Sequence, residues 1–280
     1  MRAKRLRHAT RRRCVHCLRQ SDAITEDHVP PRSWYPDTTP QNVQRWKVPA
    51  CPKCNKYLGQ LEKDLLVRLA LCIDPHSDAA SGIGTLALRS LGIGAGELPE
   101  QERAHREKLR ARVRAEFIPH AESKELPGKI PGLGPPDDQP SEWAIGIPWA
   151  GLSIIAEKIA RGCEYKLKNR FIAPPYGLRT YVEESDVVPE PLASAIRVFD
   201  FGPGCKIQRL FATEDHNVVL YWITLWRSLC LHVRIDLEVE LLKVDQRSRR
   251  CEGIAPSESR RMMTISPYLR SVNPEVDDRT

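Results

Sequence analysis

Two Cys-x-x-Cys pairs, Cys14-Val-His-Cys17 and Cys51-Pro-Lys-Cys54, flank an interval of 33 residues. Four thiolates at this spacing suit a tetrahedral zinc ion. A closed four-cysteine site leaves no open position for water. The ion would therefore be structural, supplying folding energy to a unit too small to hold itself together. Unrelated buried thiols or a redox Cys-x-x-Cys compete with this reading. Against them, both pairs fall in a basic segment and the second stands at a helix start. His16, inside the first pair, could replace a cysteine, but a loop role fits it better. Cys163, Cys205, Cys230 and Cys251 show no ligand spacing and read as packing residues.

Between the pairs lies Thr25-Glu-Asp-His-Val-Pro-Pro31, then Asn42, and Asn55 follows the second pair at once. An Asp-His pair alone is an ordinary surface turn; its setting between two knuckles distinguishes this one. The succession of first knuckle, acidic-His, middle Asn, second knuckle and terminal Asn resembles the HNH endonuclease superfamily, over residues 14 to 65. Hydrolysis of a phosphodiester needs a base to activate water and a cation to neutralise charge building on the phosphate. The resemblance implies that His28 is the base. It also implies that Asp27 and Asn55 hold a divalent cation, and their hard oxygens suit Mg²⁺ or Mn²⁺. Asn42 would lie in the hairpin loop and brace it against His28. The residues after Asn42, Val-Gln-Arg-Trp, make a longer and more basic approach to the second knuckle than the family pattern has.

Other residues near this set have two readings each. Glu62, seven residues after Asn55 and on the same helical face, could extend a metal shell but reads better as a solvated helix charge. Arg32, Lys47, Lys53 and Lys56 could hold phosphates, though each separately is an ordinary exposed cation. Trp34 and Trp46 could stack on bases, but packing of a small core suits them better.

These residues need elements to position them. Leu58, Leu61, Leu65, Leu69 and Cys72 recur at helical spacing, predicting a helix that starts after Cys54 and ends before Asp74-Pro75. The spacing of Leu109, Val113 and Phe117 predicts an exposed helix from Pro99 to Phe117. Residues 119–141 are dense in Pro and Gly and read as a linker. Trp149, Leu152, Ala156, Ile159 and Cys163 mark a buried helical stripe. The alternation at 231–241 predicts a strand with one wet face, and the apolar run at 218–226 a more central one, with weaker strands at 195–201 and 206–212. The predicted class is α+β: an N-terminal zinc-stabilised ββα-metal HNH module, then an α+β domain with helices packed on an antiparallel sheet. The predicted organisation is a basic arm at 1–13, the HNH and zinc module at 14–75, a helical connector at 76–118, the linker, an α+β domain at 142–254 and a disordered tail at 255–280.

Charge narrows the function. The chain carries +7 overall, but residues 1–60 hold 13 Lys/Arg against 4 Asp/Glu, or +9, leaving 30 against 32, or −2, for the rest. So local a basic region points to a polyanion, of which a nucleic-acid backbone is the commonest, although the opening MRAKRLRHATRRR would also serve as a solvated arm. The longest apolar run is far short of a membrane span. No apolar signal-peptide core follows the basic start, so the chain reads as cytoplasmic. The sequence thus favours a metal-dependent endonuclease, with DNA as the first substrate to consider. A catalytically inactive nucleic-acid-binding zinc module is the alternative, and a zinc-stabilised protein scaffold a weaker third. Residues 76–280 match no motif tied to chemistry.

Overall fold

The computed structural model describes residues 12–94, 96–119, 143–172, 177–183, 195–212, 218–236 and 260–264. The N-terminal unit is built from two short hairpins and one long helix. Strands β1 (Arg12–Arg13) and β2 (Gln20–Ser21) form the first hairpin, and β3 (Thr25–His28) and β4 (Lys47–Ala50) form the second. In the second, Thr25 lies opposite Ala50 and His28 opposite Lys47. The chain leaves β4 directly into α1 (Pro52–Ala70), with Cys51 as its N-cap residue and Pro52 in its first turn. Proline suits that position because its missing N–H has no intrahelical partner there. Leu58, Leu65, Leu66 and Leu69 are buried on α1, as the helical spacing predicts.

Helices α2 (Ile83–Ser90) and α3 (Glu100–Arg114) follow. The predicted third-stripe residue Phe117 is not helical: α3 ends at Arg114, and Phe117 opens β5 (Phe117–Pro119), which pairs with β6 (Trp143–Pro148). Helix α4 (Trp149–Lys168) carries the buried stripe foreseen for it. It packs against the sheet formed by β7 (Gly177–Glu183), β8 (Ile196–Asp200), β9 (Cys205–Ala212), β10 (Val218–Leu225) and β11 (Leu229–Asp236). The order β7-β11-β10-β9-β8 is antiparallel throughout and puts β10 in the middle, so its nearly continuous apolar run is what a strand covered on both faces requires. The protein is thus mixed α+β, with four α-helices among the described residues and an antiparallel sheet under α4. One stretch of the expected disordered tail is ordered: β12 (Arg260–Thr264) pairs with β6, because β6 otherwise offers a free edge. Residues 120–141 of the expected linker, residues 237–241 of the expected last strand, the residues before Arg12 and Cys251 lie outside the described residues, while Pro119, the first residue of that linker, closes β5.

The core does not divide at the linker. One cluster joins Val29, Leu65 and Leu69 of the N-terminal unit to Ile155, Ile159, Tyr221 and Ile223 of the C-terminal one. Trp34 is buried rather than poised to stack on bases. Its ring lies 5.4 Å from that of Trp226, whose Nε1 donates to the Trp34 carbonyl at 3.0 Å. Trp46 is partly buried and meets Phe199 and Phe201 edge-on. Cys163, Cys205 and Cys230 are buried packing residues, as expected. No described helix is long and apolar enough to cross a membrane.

Candidate functional site

The four cysteines meet. Cys14 to Cys17 form the turn of the β1/β2 hairpin, closed by the Cys14 N–H donating to the Arg19 carbonyl and the Leu18 N–H to the Cys14 carbonyl, each at 2.9 Å. Leu18 takes a φ of 65°, the left-handed conformation that turns the chain back after the second thiol. The Val15 N–H donates to the Pro49 carbonyl at 2.9 Å and so ties this knuckle to β4. Cys51 and Cys54 stand at the start of α1, where the helix dipole favours thiolate. All four sulfurs lie within 4.8 Å of one another, and Cys17 Sγ is 3.8 Å from Cys51 Sγ. A tetrahedron with Zn–S bonds of ~2.3 Å has edges of about 3.8 Å, so the donor set fits zinc. Burial works against ionisation of Cys51, but the Cys54 N–H and the neighbouring thiols outweigh it and bring it down to about 7. Cys54 and Cys14 are pushed up, in each case chiefly by burial.

The acidic-His pair splits into two environments, as successive residues on a strand must. Asp27 points inward and is buried; His28 is half-buried at the strand end. Burial and the charges of Lys47 and Arg32 depress the His28 pKa, so its neutral, proton-accepting form prevails at neutral pH. Lys47 itself bonds Glu26 across the hairpin at 2.9 Å.

Asp27 is fully engaged. His16 Nε2 donates to its Oδ2 at 2.8 Å, and the Lys158 ammonium lies 3.1 Å from its Oδ1. The same ammonium donates to Glu62 Oε1 and, at 2.7 Å, to the His28 carbonyl oxygen. Burial pushes the Asp27 pKa up, yet the His16 hydrogen bond and the Lys158 charge prevail and leave it below the ordinary aspartate value. Burial raises Glu62, with Lys158 opposing and Asp27 reinforcing the shift. The expectation that Glu62 is a solvated helix charge is overturned: its side chain is 12% exposed, because α4 covers that face of α1 and inserts Lys158 there.

Neither Asn55 nor Asn42, the latter in the loop between β3 and β4, hydrogen-bonds Asp27 or His28. The Asn55 side-chain amide donates to Thr25 Oγ1 at 2.9 Å, and Thr25 Oγ1 donates to the Ala50 carbonyl at 2.9 Å, so Asn55 staples the start of α1 to the open end of the hairpin. Asn42 is exposed and borders a groove with Val198, Asp200, Lys206 and Arg227. Sequence reasoning gave no role to Lys158 and only a loop role to His16. The one local signal for Lys158 is that Gly151, Lys158 and Gly162 fall on one face of α4, seven and four residues apart. At Gly162 a Cβ would come within 2.7 Å of Val29 Cγ2, and at Gly151 within 3.1 Å of Leu61 Cδ1. Those close approaches let α4 lie against β3 and α1, which brings Lys158 within reach of Asp27.

Comparison of the chain with known protein families, with curated proteins and with solved structures returned no match.

Proposed function

We propose that the N-terminal unit is an HNH-type module that acts on nucleic acid, DNA in the first instance, and hydrolyses phosphodiester bonds with His28 as general base. The observation that carries this reading is the β3/β4 hairpin running straight into α1 with the four-cysteine cluster clamping hairpin base and helix start together. A zinc-clamped hairpin and helix of this kind present the end of β3, and therefore His28, at a fixed position. A water proton would pass to the His28 imidazole, whose depressed pKa keeps it neutral and receptive. Lys47 and Arg32 supply positive charge on the same side, where a phosphate would need it.

The divalent cation implied by the family resemblance does not fit the donors as they stand. Both Asp27 oxygens already face His16 or Lys158, and Asn55, whose amide nitrogen donates to Thr25, has only its amide oxygen left to offer. Proton transfer to His28 requires no such ion. The same lock on Asp27 favours the second reading, a nucleic-acid-binding zinc module without catalysis. Incubating zinc-loaded protein with single- and double-stranded DNA and RNA, with and without added Mg²⁺ or Mn²⁺, separates the two. Endonucleolytic products from any of these substrates support the nuclease; salt-sensitive binding with no product from any of them supports the binding module.

A further inference from the structure

The Lys158 side chain is 1% exposed, and its ammonium faces Asp27 Oδ1, Glu62 Oε1 and the His28 carbonyl oxygen. An ammonium has three N–H donors, so this one is saturated. On the far side of Asp27, His16 takes the second oxygen. Two buried carboxylates this close would repel each other without a cation between them, and a buried ammonium without such partners would be strongly disfavoured. Neither half of the cluster is therefore stable alone.

We infer that Lys158 is the resident cation of the Asp27/Glu62 cluster, a fixed ammonium that excludes a divalent ion from Asp27. Three observations carry this. The first is saturation: every donor of Lys158 and both oxygens of Asp27 are in use. The second is rigidity. Gly162 against Val29 and Gly151 against Leu61 hold α4 so close that its backbone has no room to shift toward β3 or α1, and Lys158 lies between these two contacts. The third is competition. A Mg²⁺ or Mn²⁺ ion needs a carboxylate oxygen at ~2.0–2.2 Å with several further oxygens around it. Any position that gives Asp27 Oδ1 as such a ligand lies beside an ammonium already 3.1 Å from it. A second cation at that carboxylate would face the ammonium charge at close range in a largely buried site, where the repulsion is only weakly screened. The inference concerns the cluster itself and stands whether or not His28 cuts a phosphodiester.

The test is Mn²⁺ binding, followed by electron paramagnetic resonance on the zinc-loaded full-length chain. Wild type and Asp27→Asn are expected to bind Mn²⁺ alike. Lys158→Met, which keeps an unbranched side chain one atom shorter and removes its charge, should gain one Mn²⁺ site at least tenfold tighter than anything in the wild type. The double variant Lys158→Met/Asp27→Asn should lose that gain. Lys158→Arg should gain nothing. A wild-type Mn²⁺ site that Asp27→Asn removes would overturn the inference, and so would a folded Lys158→Met protein with no added site. Should Lys158→Met fail to fold, the comparison of wild type with Asp27→Asn decides alone. None of these readouts depends on cleavage, so failure of the nuclease reading leaves them intact.

Discussion

Asp27 and His28 are neighbours in sequence that experience opposite surroundings, and their titration should show it. The Asp27 carboxyl is held below the ordinary value of 3.8, so its stabilising contribution is complete above that pH and lost as pH falls through the depressed native value. Glu62 has the opposite sign: raised above 4.5, it contributes stability at low pH that is lost as pH rises toward its native value. Asp27→Asn should therefore shrink the acid-side decline in stability by the share that Asp27 contributes, read as denaturation midpoints across pH 2 to 5. A wild-type decline of unchanged size in the variant would refute the ion lock. For His28 the prediction is kinetic. Burial and two cations lower its pKa, so the acid limb of any cleavage profile should fall below the ordinary histidine value of 6.5, and an acid limb above 6.5 would exclude His28 as the base.

At the scale of elements, much was legible and the reasons are local. The leucine spacing marks the body of α1, although the helix starts at Pro52, inside the second knuckle and not after Cys54, and the strict alternation after Leu231 marks β11 with one wet face. Two knuckles at complementary spacing announced their own meeting. What was not legible is non-local. Lys158 reaches the carbonyl of a residue 130 positions earlier, and only the glycines on its own helix face, Gly151 and Gly162, set it apart from a helix-surface lysine. Glu62 was misread for the same reason, since the covering helix lies far along the chain, with Lys158 96 residues beyond Glu62. Phe117 was misread because a helical stripe of three residues cannot tell a last turn from the first residue of a strand. The docking of α4 has its own test. Gly162→Ala would drive a methyl group against Val29 and should destabilise the fold by ~1–3 kcal/mol, with a matching drop in thermal midpoint; an unchanged midpoint would mean that the close approach is not tight. Cys51→Ser should release zinc and unfold the knuckles, because structural zinc of this kind supplies ~10–16 kcal/mol of apparent binding energy. Full protease resistance in zinc-free protein would contradict that.

Over the whole molecule, the N-terminal unit and the C-terminal sheet share one core, and the Trp34/Trp226 contact and the Asp27/Lys158 lock likewise cross the sequence midpoint. The first part brings the positive charge, +9 in residues 1–60, and the second brings the helix that closes the acid cluster. Nucleic-acid affinity should therefore fall steeply with salt, and removal of residues 1–11 should flatten that dependence. The most direct test of the functional account is the cleavage rate and the affinity of His28→Ala, measured side by side with wild type on the substrate that wild type cuts best. The account predicts a loss of ~10²–10⁴-fold in rate with zinc content and affinity nearly unchanged. Cleavage by His28→Ala at the wild-type rate, in protein freed of contaminating nuclease, would contradict it.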